Sequence, residues 1–144
     1  MASPPKSERV FFDSSAFIKR YVAESGSQQV ISICESASEI CLSVVAVPEI
    51  ISAFCRLRRE GKIKKQQYLE LKRSFMSDVA DIALADISAD VLSDAVLRLE
   101  HSPLRGMDAI HIATAHVLKV DLFVSADSQQ VAAARLSRLK VAVL

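Results

Sequence analysis

Short apolar runs alternate along this chain with longer amphipathic stretches, and that alternation restricts the fold more than any other feature. The runs are Val10-Phe11-Phe12, Glu39 to Val44, Ile82-Ala83-Leu84, Leu122 to Ser125 and Val141 to Leu144. Each has the length and the β-branched or aromatic content of a short strand. Between them lie stretches with helical spacing. One carries Ile50, Ala53, Phe54 and Leu57, at i, i+3, i+4 and i+7, behind a proline suited to a first helical turn. Others run from Lys64 to Val79, from Ser88 to Glu100, from Met107 to Leu118 and from Asp127 to Leu136. Strands that alternate with helices form a mostly parallel sheet covered on both faces, so the predicted class is α/β.

The 144 residues suffice for one domain with a real core. Residues 1–9 read as a loose leader, and 10–144 as a single domain. The formal net charge is +1, which argues against a protein that holds nucleic acid by bulk charge alone. Three cysteines, Cys34, Cys41 and Cys55, form no C-x-x-C pair and no disulfide framework. With no long apolar run and no secretory signal, the expected setting is the cytoplasm, away from any membrane.

Acids recur where strands hand over to helices. Asp13 follows Val10-Phe11-Phe12, Asp127 follows Leu122 to Ser125, and Glu49 lies in the first turn after the second strand. Asp108 opens the most apolar helix, although no strand directly precedes it. Each has an ordinary explanation, since a carboxylate near a helix N-terminus is stabilising by about 0.3–1 kcal/mol. Several on one edge of a parallel sheet would instead converge, repel and call for a divalent cation, with Mg²⁺ or Mn²⁺ suited to hard oxygen ligands.

Four segments, in order, carry a family resemblance: Phe12-Asp13-Ser14-Ser15-Ala16, Val47-Pro48-Glu49-Ile50, Met107-Asp108-Ala109-Ile110-His111-Ile112-Ala113 and Phe123-Val124-Ser125-Ala126-Asp127. Together they resemble the PIN-domain ribonucleases, and within that family the VapC toxins of type II toxin–antitoxin pairs. The resemblance implies a three-layer α/β/α sandwich with a mostly parallel sheet, its first strand central. It implies metal-dependent cleavage of RNA, with Asp13, Glu49, Asp108 and Asp127 as catalytic, metal-holding acids and Mg²⁺ (or Mn²⁺) as cofactor. It makes Ser15 and Ser125 the hydroxyls that orient those carboxylates. An antitoxin protein and a second copy of the chain are the partners it implies. Apolar faces on the helices at Glu49–Glu60 and Lys64–Val79 add to the homodimer expectation. The chain departs from the pattern at Asp127-Ser128-Gln129-Gln130-Val131, where relatives often carry a basic residue and a leucine, and no glycine precedes the last strand.

Lys19, Arg20 and Arg105 stand near the acids in sequence and are candidates for RNA phosphate contacts. The basic run from Arg56 to Lys65 reads as a solvated helix end, with phosphate binding as the alternative. His111 and His116 are five apart, so they do not share a helix face as a metal pair does. His111 reads as a packed or solvent-facing residue that stands three after Asp108. Two other functions are open to such a chain: a PIN nuclease of RNA processing or decay, and a catalytically silent PIN fold that acts as a binding module. Four retained acids speak against the silent module.

Overall fold

The computed structural model describes residues 8–144. The leader expected over 1–9 lies outside them except for Glu8 and Arg9, and Arg9 is already the first residue of a strand. Among the described residues, five strands form one sheet: β1 (Arg9–Phe12), β2 (Glu39–Ser43), β3 (Ala83–Ala85), β4 (Leu122–Ser125) and β5 (Val141–Val143). Their order is β3-β2-β1-β4-β5, and every neighbouring pair is parallel. The register places Phe11 beside Cys41 on one side and beside Phe123 on the other, so β1 is the central strand.

Successive residues of a strand point to opposite faces, and the two faces build two cores. Val10, Phe12, Leu42 and Val124 pack with Phe17 of α1 (Ser14–Phe17), Val30 of α2 (Ser27–Ser36), Phe54 of α3 (Ala46–Arg59) and Phe75 of α4 (Lys65–Val79). Phe11, Cys41 and Phe123 pack with Ile112 and Ala115 of α6 (Gly106–Leu118) and with Ala133 and Ala134 of α7 (Ser128–Leu136). A smaller cluster joins α5 (Ala89–His101) to α6 through Val91, Ala95, Ala109 and Ala113. This is the three-layer α/β/α sandwich.

Two element boundaries differ from the sequence pattern, each for a local reason. In the sequence, Ala16 to Tyr21 reads as the first helix. It starts at Ser14 because Asp13 caps it, accepting the Ala16 N–H, and it gives way to a 3-10 turn over Ile18–Arg20. Helix α3 starts two residues before Pro48. The first turn of a helix has no use for its N–H groups, so a proline there breaks nothing.

The chain builds β1, β2 and β3 outward in one direction, then returns to lay β4 against the other side of β1. In such a sheet a crevice opens beyond the carboxyl ends of the two strands where the direction reverses. Here those strands are β1 and β4, which end at Phe12 and Ser125. A knot of aromatic rings holds α1 over this end of the sheet. Phe17 of α1 has its ring centroid 5.4 Å from that of Phe12 and 6.4 Å from that of Phe75, and Phe54 stands edge-on to Phe75 at 6.2 Å. All three cysteines are free, and no helix among the described residues is long and apolar enough to cross a membrane.

Candidate active site

Asp13 sits at the switch point and is fully buried. Its Oδ1 accepts from the Ser15 hydroxyl at 2.7 Å and from the Ala16 N–H at 2.9 Å. Its Oδ2 accepts from the Ser125 hydroxyl at 2.6 Å. Burial pushes the carboxyl above its ordinary value, and these hydrogen bonds only partly oppose the push. The two serines also tie β1 to β4. Ser125 Oγ accepts from the Asp127 N–H at 3.0 Å, and Ser15 Oγ from the Ala126 N–H at 3.2 Å.

Asp127 is the N-cap of α7, with Oδ1 accepting from the Gln129 and Gln130 N–H groups at 2.9 and 3.0 Å. Asp108 is the third residue of α6. Its Oδ2 reaches back to the Arg105 N–H at 3.3 Å, and its Oδ1 accepts from the Gln130 side-chain amide at 3.0 Å. Glu49, in the first turn of α3, accepts through Oε1 from the Ser14 hydroxyl at 2.9 Å and from His111 Nε2 at 2.6 Å. Burial raises the Glu49 carboxyl, but the hydrogen bond and charge of His111, with the Ser14 hydroxyl, outweigh it and hold the group below its usual value.

Four carboxylates from four elements therefore meet the carboxyl edge of the sheet. Hydrogen bonds link Asp13 to Asp127 through Ser125, and Asp127 to Asp108 through Gln130. The donor set is the hard-oxygen kind that a divalent cation of the magnesium class takes. Asp127 and Glu49 each use a single oxygen for these bonds, which leaves Oδ2 and Oε2 outside them. In the side-chain arrangement described, the acids rest on protein donors. Among the described residues, no three His, Cys, Asp or Glu side chains are grouped to hold one ion. The donor chemistry of the four acids fits a hard divalent cation.

An open cleft of ≈ 500 Å³ adjoins Glu49, lined among others by Ser14, Ser15, Ser52, Arg56 and Met107. Arg56 is the one member of the basic run on its wall. Arg105 lines the adjoining hollow with Glu49 and Asp108. The other two expected phosphate contacts are engaged elsewhere. Lys19 Nζ binds Glu24 at 3.1 Å and the Ser25 carbonyl at 2.8 Å. Arg20 Nε binds Asp78 at 3.2 Å beside the Tyr21 hydroxyl, in a hollow with Ser38 and Ile40 at the amino end of β2. Ser14, His111 and Gln130 touch the acids but were not among the predicted site residues. His111 is buried, as a packed histidine should be, yet its ring nitrogen is spent on Glu49.

A protein-family model described as PIN domain matches residues 10–136. Ribonuclease VapC45 of Mycobacterium tuberculosis is 27% identical over 106 residues, 74% of this chain and 74% of that protein. Among solved structures, VapC20 of M. tuberculosis, a toxin that cleaves the sarcin-ricin loop, superposes with a TM-score of 0.64 at 15% identity, covering 86% of this chain and 94% of its own. A toxin–antitoxin complex from Klebsiella pneumoniae gives 0.65 at 15% identity, covering 85% and 90%. At these identities the solved structures show a shared fold.

Proposed function

The chain belongs to the PIN-domain family, and from that premise we propose that it is a metal-dependent endoribonuclease, the toxin of a type II toxin–antitoxin pair. The observation that carries the proposal is the hydrogen-bonded set of Asp13, Asp127 and Asp108 at the carboxyl edge of the sheet, with Glu49 held by Ser14, the residue after Asp13. The relative named Ribonuclease VapC45 and the neighbouring toxin–antitoxin complex support the toxin assignment.

The four acids would hold the cation, with Mg²⁺ favoured and Mn²⁺ accepted, since both take carboxylate oxygen and water. A divalent cation, when bound, lowers the pKa of a water and neutralises charge growing on a phosphodiester. Within the protein, Ser15 and Ser125 fix the rotamer of Asp13, and Ser14 and His111 fix that of Glu49. No side chain has to act as nucleophile. Arg56 lines the cleft beside Glu49, and Arg105 the hollow shared with Glu49 and Asp108, which supports both as contacts for RNA phosphates. Lys19 and Arg20 serve the fold instead.

An antitoxin would silence this site most directly with an arginine, whose guanidinium pairs with clustered carboxylates. A second copy of the chain is the other proposed partner. Helices α3 and α4 bury Phe54 and Phe75 internally, while Leu92, Val96 and Leu99 of α5 stay 53, 54 and 41% exposed next to Met107 at 41%. That apolar stripe, continuous with the acid site, suits a dimer contact. Light scattering should show a dimer at micromolar concentration. The function itself is tested by mapping RNA ends after brief expression. Discrete new ends that vanish in the Asp108→Asn variant support it, and an unchanged RNA population contradicts it.

A further inference from the structure

We propose that Gln130 is a positioning residue that holds Asp108 and Asp127 as one unit for the divalent cation, an inference that rests on the metal-dependent reading above. Gln130 is 4% exposed, on a stretch of α7 whose neighbours Val131, Ala133 and Ala134 are buried and apolar. Its side-chain Nε2 donates to Asp108 Oδ1 at 3.0 Å, and its backbone N–H donates to Asp127 Oδ1 at 3.0 Å. One residue thus offers a donor to each of two like charges carried on different helices. The other hold on Asp108, the Arg105 N–H, is longer at 3.3 Å.

The orientation of the amide follows from its partner, because a carboxylate accepts only from the NH₂ end. That orientation leaves the amide oxygen buried with no partner among the described residues. An unsatisfied buried oxygen is a stability penalty that any apolar side chain of similar size would avoid. Packing therefore does not account for glutamine here, and the bond to Asp108 does. The amide fixes Asp108 Oδ1 toward α7, the helix that Asp127 caps. Donors that orient ligating carboxylates in this way tune metal affinity.

The test measures Mn²⁺ binding by calorimetry, with melting in EDTA alongside, for the full-length wild type and for Gln130→Leu and Gln130→Met. The expected result is Mn²⁺ binding weakened by about 10–100-fold in both variants, with melting in EDTA equal to or above that of the wild type. Unchanged Mn²⁺ affinity in the variants, while the wild type binds, overturns the role of Gln130 and leaves the metal reading standing. A fall in EDTA melting that matches the fall in binding, or failure of both variants to fold, marks Gln130 as merely structural and also overturns it. A wild type that binds no Mn²⁺ removes the metal reading, and this inference with it.

Discussion

Replacing Asp13 with asparagine separates a catalytic acid from a helix cap. As a cap, Asp13 accepts the Ala16 N–H, and asparagine caps about as well. The Ser15 hydroxyl also keeps its acceptor on the amide oxygen. The amide NH₂ donates to Ser125 Oγ, which keeps that contact with its direction reversed but leaves the Ser125 hydroxyl proton without its acceptor, a cost of about 1–3 kcal/mol. Against that loss stands removal of a charge whose burial is unfavourable. The carboxyl's folded pKa lies above its ordinary value, so the native state holds the proton more tightly than the unfolded chain. The stability this gives is full below the unfolded value and is lost as pH rises through the folded value. The asparagine variant escapes that loss. Its advantage over wild type therefore grows as pH rises through the folded value and disappears in acid below the ordinary aspartate range.

The two effects oppose each other, and metal-free Asp13→Asn should melt close to or above wild type. Asp13→Ala should fall much further. It loses the cap, about 1 kcal/mol, and leaves the buried Ser125 hydroxyl and the half-buried Ser15 hydroxyl without their acceptor, about 1–3 kcal/mol for the buried one. Metal separates the readings. At a concentration about 100 times its dissociation constant, Mn²⁺ stabilises the wild type by about 2.7 kcal/mol, or about 5–10 °C. Asp13→Asn should gain little of this and cut almost no RNA. Differential scanning fluorimetry with and without Mn²⁺, beside an RNA cleavage assay, makes the measurement. An asparagine variant that gains as much from Mn²⁺ as wild type and still cleaves would refute the reasoning, and Asp13 would be a cap alone.

Two further outcomes follow from the same network. Arg20→Ala breaks the contact with Asp78 and should lower the melting temperature by a few degrees, while cleavage per folded molecule and RNA affinity stay unchanged; weaker RNA binding would return Arg20 to the substrate path. His111→Leu removes the donor that depresses the Glu49 carboxyl. In the wild type, the stability this gives is present above the ordinary glutamate pKa and is lost as pH falls through the depressed folded value. The variant should therefore melt lower at pH 7, by about 1–2 kcal/mol equivalent for a charge-assisted bond to a half-buried acid, and the gap should close as pH falls through the depressed Glu49 value. A gap that persists in acid would mean that His111 acts by packing against Phe11, from which its ring centroid lies 6.3 Å away.

The sheet was legible because runs such as Val10-Phe11-Phe12 and Leu122-Phe123-Val124 admit few other structures once helices separate them. Asp13, Glu49 and Asp127 were legible as acids at strand-to-helix junctions. Asp108 has no strand before it, and only its motif distinguished it. What sequence did not show was pairing across the fold. His111 meets Glu49 by reaching across to the first turn of α3, and Gln130 meets Asp108 because α6 packs beside α7; periodicity within one helix says nothing of such partners. Nearness in sequence also misled. Lys19 and Arg20 follow Asp13 closely, but the 3-10 turn points them at Glu24 and Asp78 rather than at the acids.

The most direct measurement of the central claim uses wild-type protein, stripped with EDTA and free of contaminating nuclease, on end-labelled RNA that it cuts. Mg²⁺ or Mn²⁺ is added back, and the new ends are analysed. A mechanism in which water attacks the phosphodiester leaves no 2′,3′-cyclic phosphate and tolerates a 2′-deoxy substitution at the cut site. The account predicts no cleavage in EDTA, restored cleavage with either cation, and ends without cyclic phosphate. Undiminished cleavage in EDTA, or ends carrying a cyclic phosphate, would contradict it.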